Sequence, residues 1–94
     1  MDNNGAASFH CAFGEMRRTE DAWNAYGGPE DVPEAVALET AMSAAYERAI
    51  DAPILCYKDV LAAVEFARDR PAMHSVPDVL ARAAEFLATE LGAP

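Results

Sequence analysis

The chain is 94 residues long and carries a formal net charge of −9, from 16 acidic and 7 basic side chains. This length predicts a single domain, because two separate hydrophobic cores need a longer chain. The charge disfavours direct binding to nucleic acid or to an anionic membrane surface, since both depend on Lys and Arg. Hydrophobic residues make up 52% of the sequence, but many are alanines, which predicts closely packed helices around a thin core.

The number of cysteines and the hydropathy of the sequence indicate the cellular compartment of the protein. Two cysteines do not make a disulfide-rich secreted scaffold, and the first residues do not resemble a signal peptide. The sequence also lacks an apolar run near the roughly 20 residues that a membrane span requires. We therefore expect a cytoplasmic protein with no membrane partner.

The N-terminal part of the chain has a weak helical pattern. Residues 1–8 contain little that can be buried and predict a flexible leader, followed by a single helical domain over residues 9–94. Large apolar side chains then occur on both sides of Gly14, which predicts two short helical pieces. Gly27 and Gly28 are expected to end the second piece.

The longest helical period covers residues 32–51, and we expect the other segments to assemble around this helix. Asp31 and Glu34 have the spacing of a capping box, with Pro33 in the first turn, where proline is tolerated. The apolar side chains recur at steps of three and four and predict a buried stripe made of Ala35, Leu38, Met42, Ala45, Tyr46, Ala49 and Ile50.

Two further helices are predicted over residues 57–70 and 76–91. Ser75 and Asp78 repeat the capping-box spacing at the start of the second of these, and Gly92 ends it. In the first, the side expected to be buried carries Tyr57, Val60, Leu61, Val64 and Ala67. The edge of the same helix expected to be exposed carries Lys58, Asp59, Glu65 and Arg68.

The predicted fold class is all-α. A lone β-prone run at residues 54–57 has no partner strand, whereas three main helices joined by short connections favour antiparallel packing. We expect a small antiparallel bundle of these three helices, with the short N-terminal helical segment closing its open side.

One segment carries a resemblance. From Glu39 to Ala67 the sequence ETAMSAAYERAIDAPILCYKDVLAAVEFA joins a helix, an Ala-Pro turn and a helix containing D-V-L-A-A-V. This order resembles small uncharacterised bacterial helical proteins, some of them prophage-borne. The resemblance covers under a third of the chain, and it implies a helical hairpin and no activity.

The sequence contains two histidines and two cysteines, the set of ligands that a zinc site can use. These are His10, Cys11, Cys56 and His74. Their spacing argues against one, because structural zinc sites use chelating pairs two to four residues apart. Cys56 also precedes a predicted helix, where a thiol can become a nucleophile, but no flanking signature supplies a base. We therefore expect no metal site, no cofactor and no catalytic residue, with Cys56 filling a gap between helices.

The acidic residues are unevenly distributed, with seven acids and no base from Thr19 to Glu47. Trp23 and Tyr26 lie beside them, and an aromatic residue flanked by charge is a common interface anchor. The sequence therefore predicts a non-enzymatic interaction or regulatory module that binds another protein, or itself as a homodimer, through an apolar helical face. The residues predicted to bind the partner are Trp23, Tyr26, Glu20, Asp21, Glu30, Asp31, Glu34 and Glu39.

Two other functions compete with this prediction. The first is an acidic mimic of nucleic acid, comparable to an anti-CRISPR, which would occupy the basic channel of a bacterial or phage protein. The second is a small thiol or metal enzyme. Carboxylate pairs such as Asp31 and Glu34 suit helix capping better than acid–base work or calcium binding, since calcium loops space their oxygen ligands at alternate positions.

Overall fold

A computed structural model describes residues 7–92 of the chain and shows four α-helices in that range. These are α1 (Phe9–Ala25), α2 (Pro33–Asp51), α3 (Tyr57–Asp69) and α4 (Val76–Glu90). Residues 7–92 contain no β-strand, which confirms the all-α prediction, and the three main helices lie within one residue of their predicted bounds. Of the predicted leader, residues 1–6 lie outside the described range.

Helix α1 is longer and more regular than the sequence pattern indicated. It runs unbroken for 17 residues through Gly14, and Thr19 lies inside it, with its hydroxyl donating to the Met16 carbonyl at 2.6 Å. The buried side chains are Phe9, Ala12, Phe13 and Met16, which follow the i, i+3, i+4, i+7 steps of one helical face. Packing of this face outweighs the roughly 1 kcal/mol that a glycine costs within a helix.

Three phenylalanines form the centre of the core. Phe9 and Phe13 stack on α1 with ring centroids 5.9 Å apart, and Phe66 of α3 meets both rings edge-on at 6.0 and 5.9 Å. Edge-to-face pairs of this kind add to the free energy gained from burial alone. The N-terminal aromatic residues therefore form the core between α1 and α3.

The arrangement of the helices differs from the expected one. Helix α2 packs mainly against α1, and α4 packs mainly against α3, so α1 and α3 are central and α2 lies at one side. The predicted central role of α2 is therefore wrong, although its buried stripe is confirmed at Ala35, Ala45 and Ala49. The radius of gyration is 15.2 Å, above the roughly 12 Å typical of this length, because the helices form an open rather than a closed bundle.

Contacts at the ends of the helices define their directions. The N–H of Phe9, at the start of α1, donates to the Pro53 carbonyl just before α3, and Glu20 pairs with Arg70 just after α3, so α1 and α3 run in the same direction. Tyr57, the first residue of α3, packs edge-on against Phe86 in the second half of α4. Helices α3 and α4 are therefore antiparallel, as predicted.

Helix α3 is rotated relative to the prediction. Its buried residues are Asp59, Ala62, Ala63 and Phe66, whereas Tyr57, Leu61 and Val64, predicted to be buried, are more than half exposed. The prediction is wrong because α3 carries two apolar stripes. The stripe with two alanines lets α1 approach closely and gives Phe66 a place against Phe9 and Phe13.

Both predicted capping boxes are wrong. The N-cap of α2 is Val32, with no side-chain cap, and Asp31 is exposed. Ser75 is the N-cap of α4, but its hydroxyl is 2.7 Å from the Tyr46 hydroxyl rather than bonded to its own helix. A tertiary hydrogen bond between α2 and α4 therefore replaces the local one.

Candidate functional site

The N-termini of α1 and α3 converge on one fully buried carboxylate, that of Asp59. Its Oδ1 accepts a hydrogen bond from the backbone N–H of His10 at 2.7 Å. Its Oδ2 accepts one from the backbone N–H of Leu55, also at 2.7 Å. The carboxylate thus joins the start of α1 to the loop that leads into α3.

The location of Asp59 follows from the chemistry of helix ends. The first amides of a helix have no acceptor within that helix, so a buried N-terminus needs acceptors from elsewhere. In α1, the Phe9 N–H binds the Pro53 carbonyl at 2.9 Å and the His10 N–H binds Asp59. Negative charge is also favourable at the positive end of a helix dipole, and two such ends meet here.

These contacts keep Asp59 ionised. Burial alone would raise the pKa of Asp59, but hydrogen bonds from the backbone N–H groups of His10 and Leu55, and from the side chains of His10 and Ser8, lower the pKa from 3.8 to about 2. Hydrogen bonds to the charged form stabilise a carboxylate in this way. Asp59 therefore carries a full negative charge at neutral pH.

The imidazole of His10 lies between this carboxylate and two thiols. Its Nδ1 is 2.6 Å from Asp59 Oδ1, and 4.0 Å from the Sγ of Cys56. On the other side of the ring, Nε2 is 3.5 Å from the Sγ of Cys11. Both cysteines are free thiols, with Cys11 exposed and Cys56 half-buried.

The position of Cys56 differs from that of a thiol nucleophile with its base. In a Cys-His-Asp arrangement the carboxylate and the thiol occupy opposite ring nitrogens. Asp59 and Cys56 lie against the same nitrogen of His10, so the ring cannot bind both in those roles. Asp59 and the exposed thiol of Cys11 do lie against opposite nitrogens, with Cys11 Sγ 3.5 Å from Nε2. The contacts of Asp59 within this cluster connect α1 to α3.

The sequence did not reveal this cluster. Asp59 was predicted to be exposed and is fully buried, and His10 and Cys56, 46 positions apart, lie in contact distance although their spacing argued against a shared site. His74 is exposed and is not part of the group. One signal was available: Asp59 is the third residue of a predicted helix, where a carboxylate can reach back to amides before the helix.

The predicted aromatic anchors lie together at the C-terminal end of α1. The rings of Trp23 and Tyr26 stack with centroids 6.3 Å apart, and the Tyr26 hydroxyl donates to the Pro29 carbonyl at 2.9 Å. Both residues are half-buried. The two rings lie at the turn between α1 and α2, where the Tyr26 hydrogen bond connects the end of α1 to the loop. Their role in binding a partner stays a prediction.

The acidic residues predicted to bind a partner differ in their surroundings. Glu20 forms an ion pair with Arg70 inside the fold. The guanidinium carbon of Arg70 also lies 5.4 Å from the centre of the Phe13 ring. The exposed members of the set are Asp21, Glu30, Asp31, Glu34 and Glu39.

A second surface was not predicted. The outer side of α3 and the residues before it expose Leu55, Tyr57, Leu61 and Val64, with exposed fractions of 63%, 58%, 59% and 51%. We call these four residues the α3 face. Residues 57, 61 and 64 follow steps of four and three and so line one side of the helix. Phe86 of α4 packs edge-on against Tyr57, with ring centroids 5.6 Å apart, and extends the surface onto α4.

Comparison with known proteins identifies no relative. No family model, no curated protein and no solved structure matches this chain. The resemblance of residues 39–67 to small bacterial helical proteins thus stays a prediction. None of the helices within residues 7–92 is long and apolar enough to cross a membrane.

Proposed function

We propose that this protein is a non-enzymatic interaction module that binds a second copy of itself through the α3 face. The observation that supports the proposal is the exposure of three large apolar side chains on one side of α3 and of Leu55 just before it, with Phe86 of α4 packed against Tyr57. Scattered apolar residues are normal on a protein surface, whereas a contiguous patch marks an interaction site.

The distribution of charge favours a second copy as the partner. Residues 7–54, which include α1 and α2, contain nine acidic and three basic residues. Residues 55–92, which include α3 and α4, contain six acidic and four basic residues. Two copies that meet through α3 and α4 therefore join the parts of lower net charge and keep the two more acidic parts apart, which limits like-charge repulsion.

The composition of the α3 face suits a homodimer. A twofold interface places the same patch on both subunits, so a self-complementary apolar surface is sufficient. Tyr57 adds an aromatic ring that Phe86 already holds in place, and aromatic residues are enriched among the side chains that dominate binding energy. The proposal includes a cytoplasmic location, in which the thiols of Cys11 and Cys56 stay reduced.

Sedimentation velocity over micromolar to millimolar concentrations tests the proposal. We expect a monomer–dimer equilibrium, and a Leu61→Glu substitution should weaken it at least about tenfold, the effect of about 1.4 kcal/mol. Val36→Glu is the matched control, because Val36 is 53% exposed on α2, away from α3. A wild-type chain that stays monomeric, or equal effects of the two substitutions, would contradict the proposal.

The second candidate is an acidic mimic that binds the nucleic-acid channel of a bacterial or phage protein. It is supported by the exposure of Glu30, Asp31, Glu34 and Glu39 near and along α2, far from any base in the sequence. Such binding would depend strongly on ionic strength, whereas self-association through an apolar face would not. Binding to a basic nucleic-acid-binding protein that is lost in moderate salt would favour this alternative, and salt-insensitive binding would count against it.

A further inference from the structure

We propose that His10, Cys56 and Asp59 form a binding site for a single Zn²⁺-like transition metal ion. Each residue contributes one donor atom, and the three donors, an imidazole nitrogen, a sulfur and a carboxylate oxygen, all lie within 4.8 Å of one another. Catalytic and transport zinc sites often combine three protein ligands with an open fourth position. This site is independent of the α3 face and of its proposed role.

The donor set selects the class of metal. Zinc accepts nitrogen, sulfur and oxygen ligands in one tetrahedral site. Calcium and magnesium prefer oxygen ligands only, so a site with a thiolate and an imidazole disfavours them. The expected ions are therefore Zn²⁺ and its usual spectroscopic substitute Co²⁺.

The distances require only small movements. In a tetrahedral zinc site, ligand atoms lie about 3.3 Å apart for nitrogen and oxygen and about 3.6 Å for nitrogen and sulfur. Here His10 Nδ1 is 2.6 Å from Asp59 Oδ1 and 4.0 Å from Cys56 Sγ. A shift of less than about 1 Å in the imidazole satisfies both distances. Cys56 Sγ lies within 4.8 Å of the carboxylate oxygen and has to move towards it by up to about 1 Å. The His10 side chain is 34% exposed and so has room to make this movement.

The surroundings already hold the ligands in position. The two backbone N–H groups on Asp59 fix the carboxylate. The contact of His10 Nδ1 with Oδ1 is the one that the metal replaces, which frees a lone pair on that oxygen. On the far side of the imidazole, Cys11 Sγ lies 3.5 Å from His10 Nε2. A metal on Nδ1 requires the ring proton on Nε2, and Cys11 can accept that hydrogen bond, as outer partners of metal-bound histidines do.

The charges of the site balance on binding. The metal replaces two protons: that of the Cys56 thiol, which goes to solvent, and that of His10 Nδ1, which is exchanged through solvent for one on Nε2. The thiolate, the Asp59 carboxylate and the neutral imidazole are then the ligands. Two negative ligands neutralise a divalent ion. They also offset the two helix N-termini, whose positive dipole ends alone would disfavour a cation.

Cobalt titration followed by absorption spectroscopy tests the site. We expect the wild-type protein to bind one equivalent of Co²⁺ with a sulfur-to-cobalt charge-transfer band and the visible absorption of tetrahedral cobalt, both lost when Zn²⁺ is added. Cys56→Ser should abolish the charge-transfer band and weaken binding more than tenfold. Cys11→Ser is the control for the origin of the band. It removes the other thiol but keeps a hydrogen-bond acceptor beside His10 Nε2, so the band should remain even if the affinity falls.

Two results would overturn the site. One is a folded wild-type protein, judged by circular dichroism, that shows no charge-transfer band. The other is a band that survives in Cys56→Ser and disappears in Cys11→Ser. NMR of the unaltered protein gives a test that needs no variant. Added Zn²⁺ should shift the ring signals of His10 and the Cβ signal of Cys56 and leave the ring of His74 unchanged, and a shift at His74 alone would also overturn the site.

Discussion

Asp59 binds both the main chain and the side chain of His10 through the same oxygen, at 2.7 Å to the backbone nitrogen and 2.6 Å to Nδ1. The two residues are 49 positions apart, and their contact joins the first turn of α1 to the first turn of α3. Removal of the Asp59 charge should therefore affect the whole bundle.

We expect Asp59→Asn to lower the free energy of unfolding by about 2–4 kcal/mol, because a neutral amide weakens three hydrogen bonds in a buried position. Urea unfolding followed by circular dichroism measures this change. Asp69→Asn is the matched control, since Asp69 is exposed and its partner is the adjacent Arg68, and it should change stability by less than about 0.5 kcal/mol. Equal losses in the two variants would contradict the proposed role of Asp59.

The lowered pKa of Asp59 predicts how stability depends on pH. The folded pKa of about 2 lies below the usual 3.8, so the carboxylate stabilises the fold fully above pH 3.8 and loses this contribution as pH falls towards 2. The shift corresponds to about 2 kcal/mol. The groups that face Asp59 are the His10 ring, the Ser8 hydroxyl and the Cys56 thiol.

The urea concentration at which half of the protein is unfolded, measured from pH 7 to pH 2, tests this dependence. The wild-type protein should lose more stability than Asp59→Asn between about pH 4 and pH 2, because the variant has no carboxylate to protonate at this position. Parallel curves for the two proteins over that interval would show that Asp59 has an ordinary pKa in the fold.

The aromatic core between α1 and α3 predicts a second stability difference. Phe66 is fully buried against Phe9 and Phe13, so Phe66→Ala should cost about 3–5 kcal/mol. Phe86 is half-buried, and Phe86→Ala should cost clearly less. Thermal unfolding of both variants measures the difference, and a larger effect at Phe86 would contradict the described position of the core.

The hydrogen bond between α2 and α4 gives a smaller, local prediction. Tyr46→Phe removes the hydroxyl that lies 2.7 Å from the Ser75 hydroxyl and should cost about 1 kcal/mol. Tyr26→Phe is the control, because the Tyr26 hydroxyl bonds to the Pro29 carbonyl in an exposed position, where water can replace it. A double substitution with Ser75→Ala should cost little more than Tyr46→Phe alone if the two hydroxyls act as a pair.

The sequence predicted which segments are helical but not how the helices are oriented. Periodicity and proline positions placed residues 33–51, 57–69 and 76–90 within helices to within one residue. In α3 the pattern was ambiguous, because Leu61 and Val64 form one apolar stripe and Ala62, Ala63 and Phe66 form another. Burial follows the contact with Phe9 and Phe13, which lies far away in sequence and leaves no local signal.

The candidate metal site was hidden for a similar reason. Its ligands come from two helix N-termini that meet only in the folded chain, so no chelating spacing links His10 to Cys56. For α1 the sequence does carry a signal, since Phe9, Phe13 and Met16 have helical spacing and Gly14 between them does not end the helix. A glycine's cost is small compared with the burial of three large side chains.

Backbone amide chemical shifts recorded across a range of protein concentrations test the proposed α3 interface most directly. If two copies meet through this surface, the shifts that change with concentration should cluster at residues 55–64 and in the part of α4 near Phe86, and Leu61→Glu should abolish these changes. Shifts that are independent of concentration, or that change along α2 instead, would contradict self-association through the α3 face.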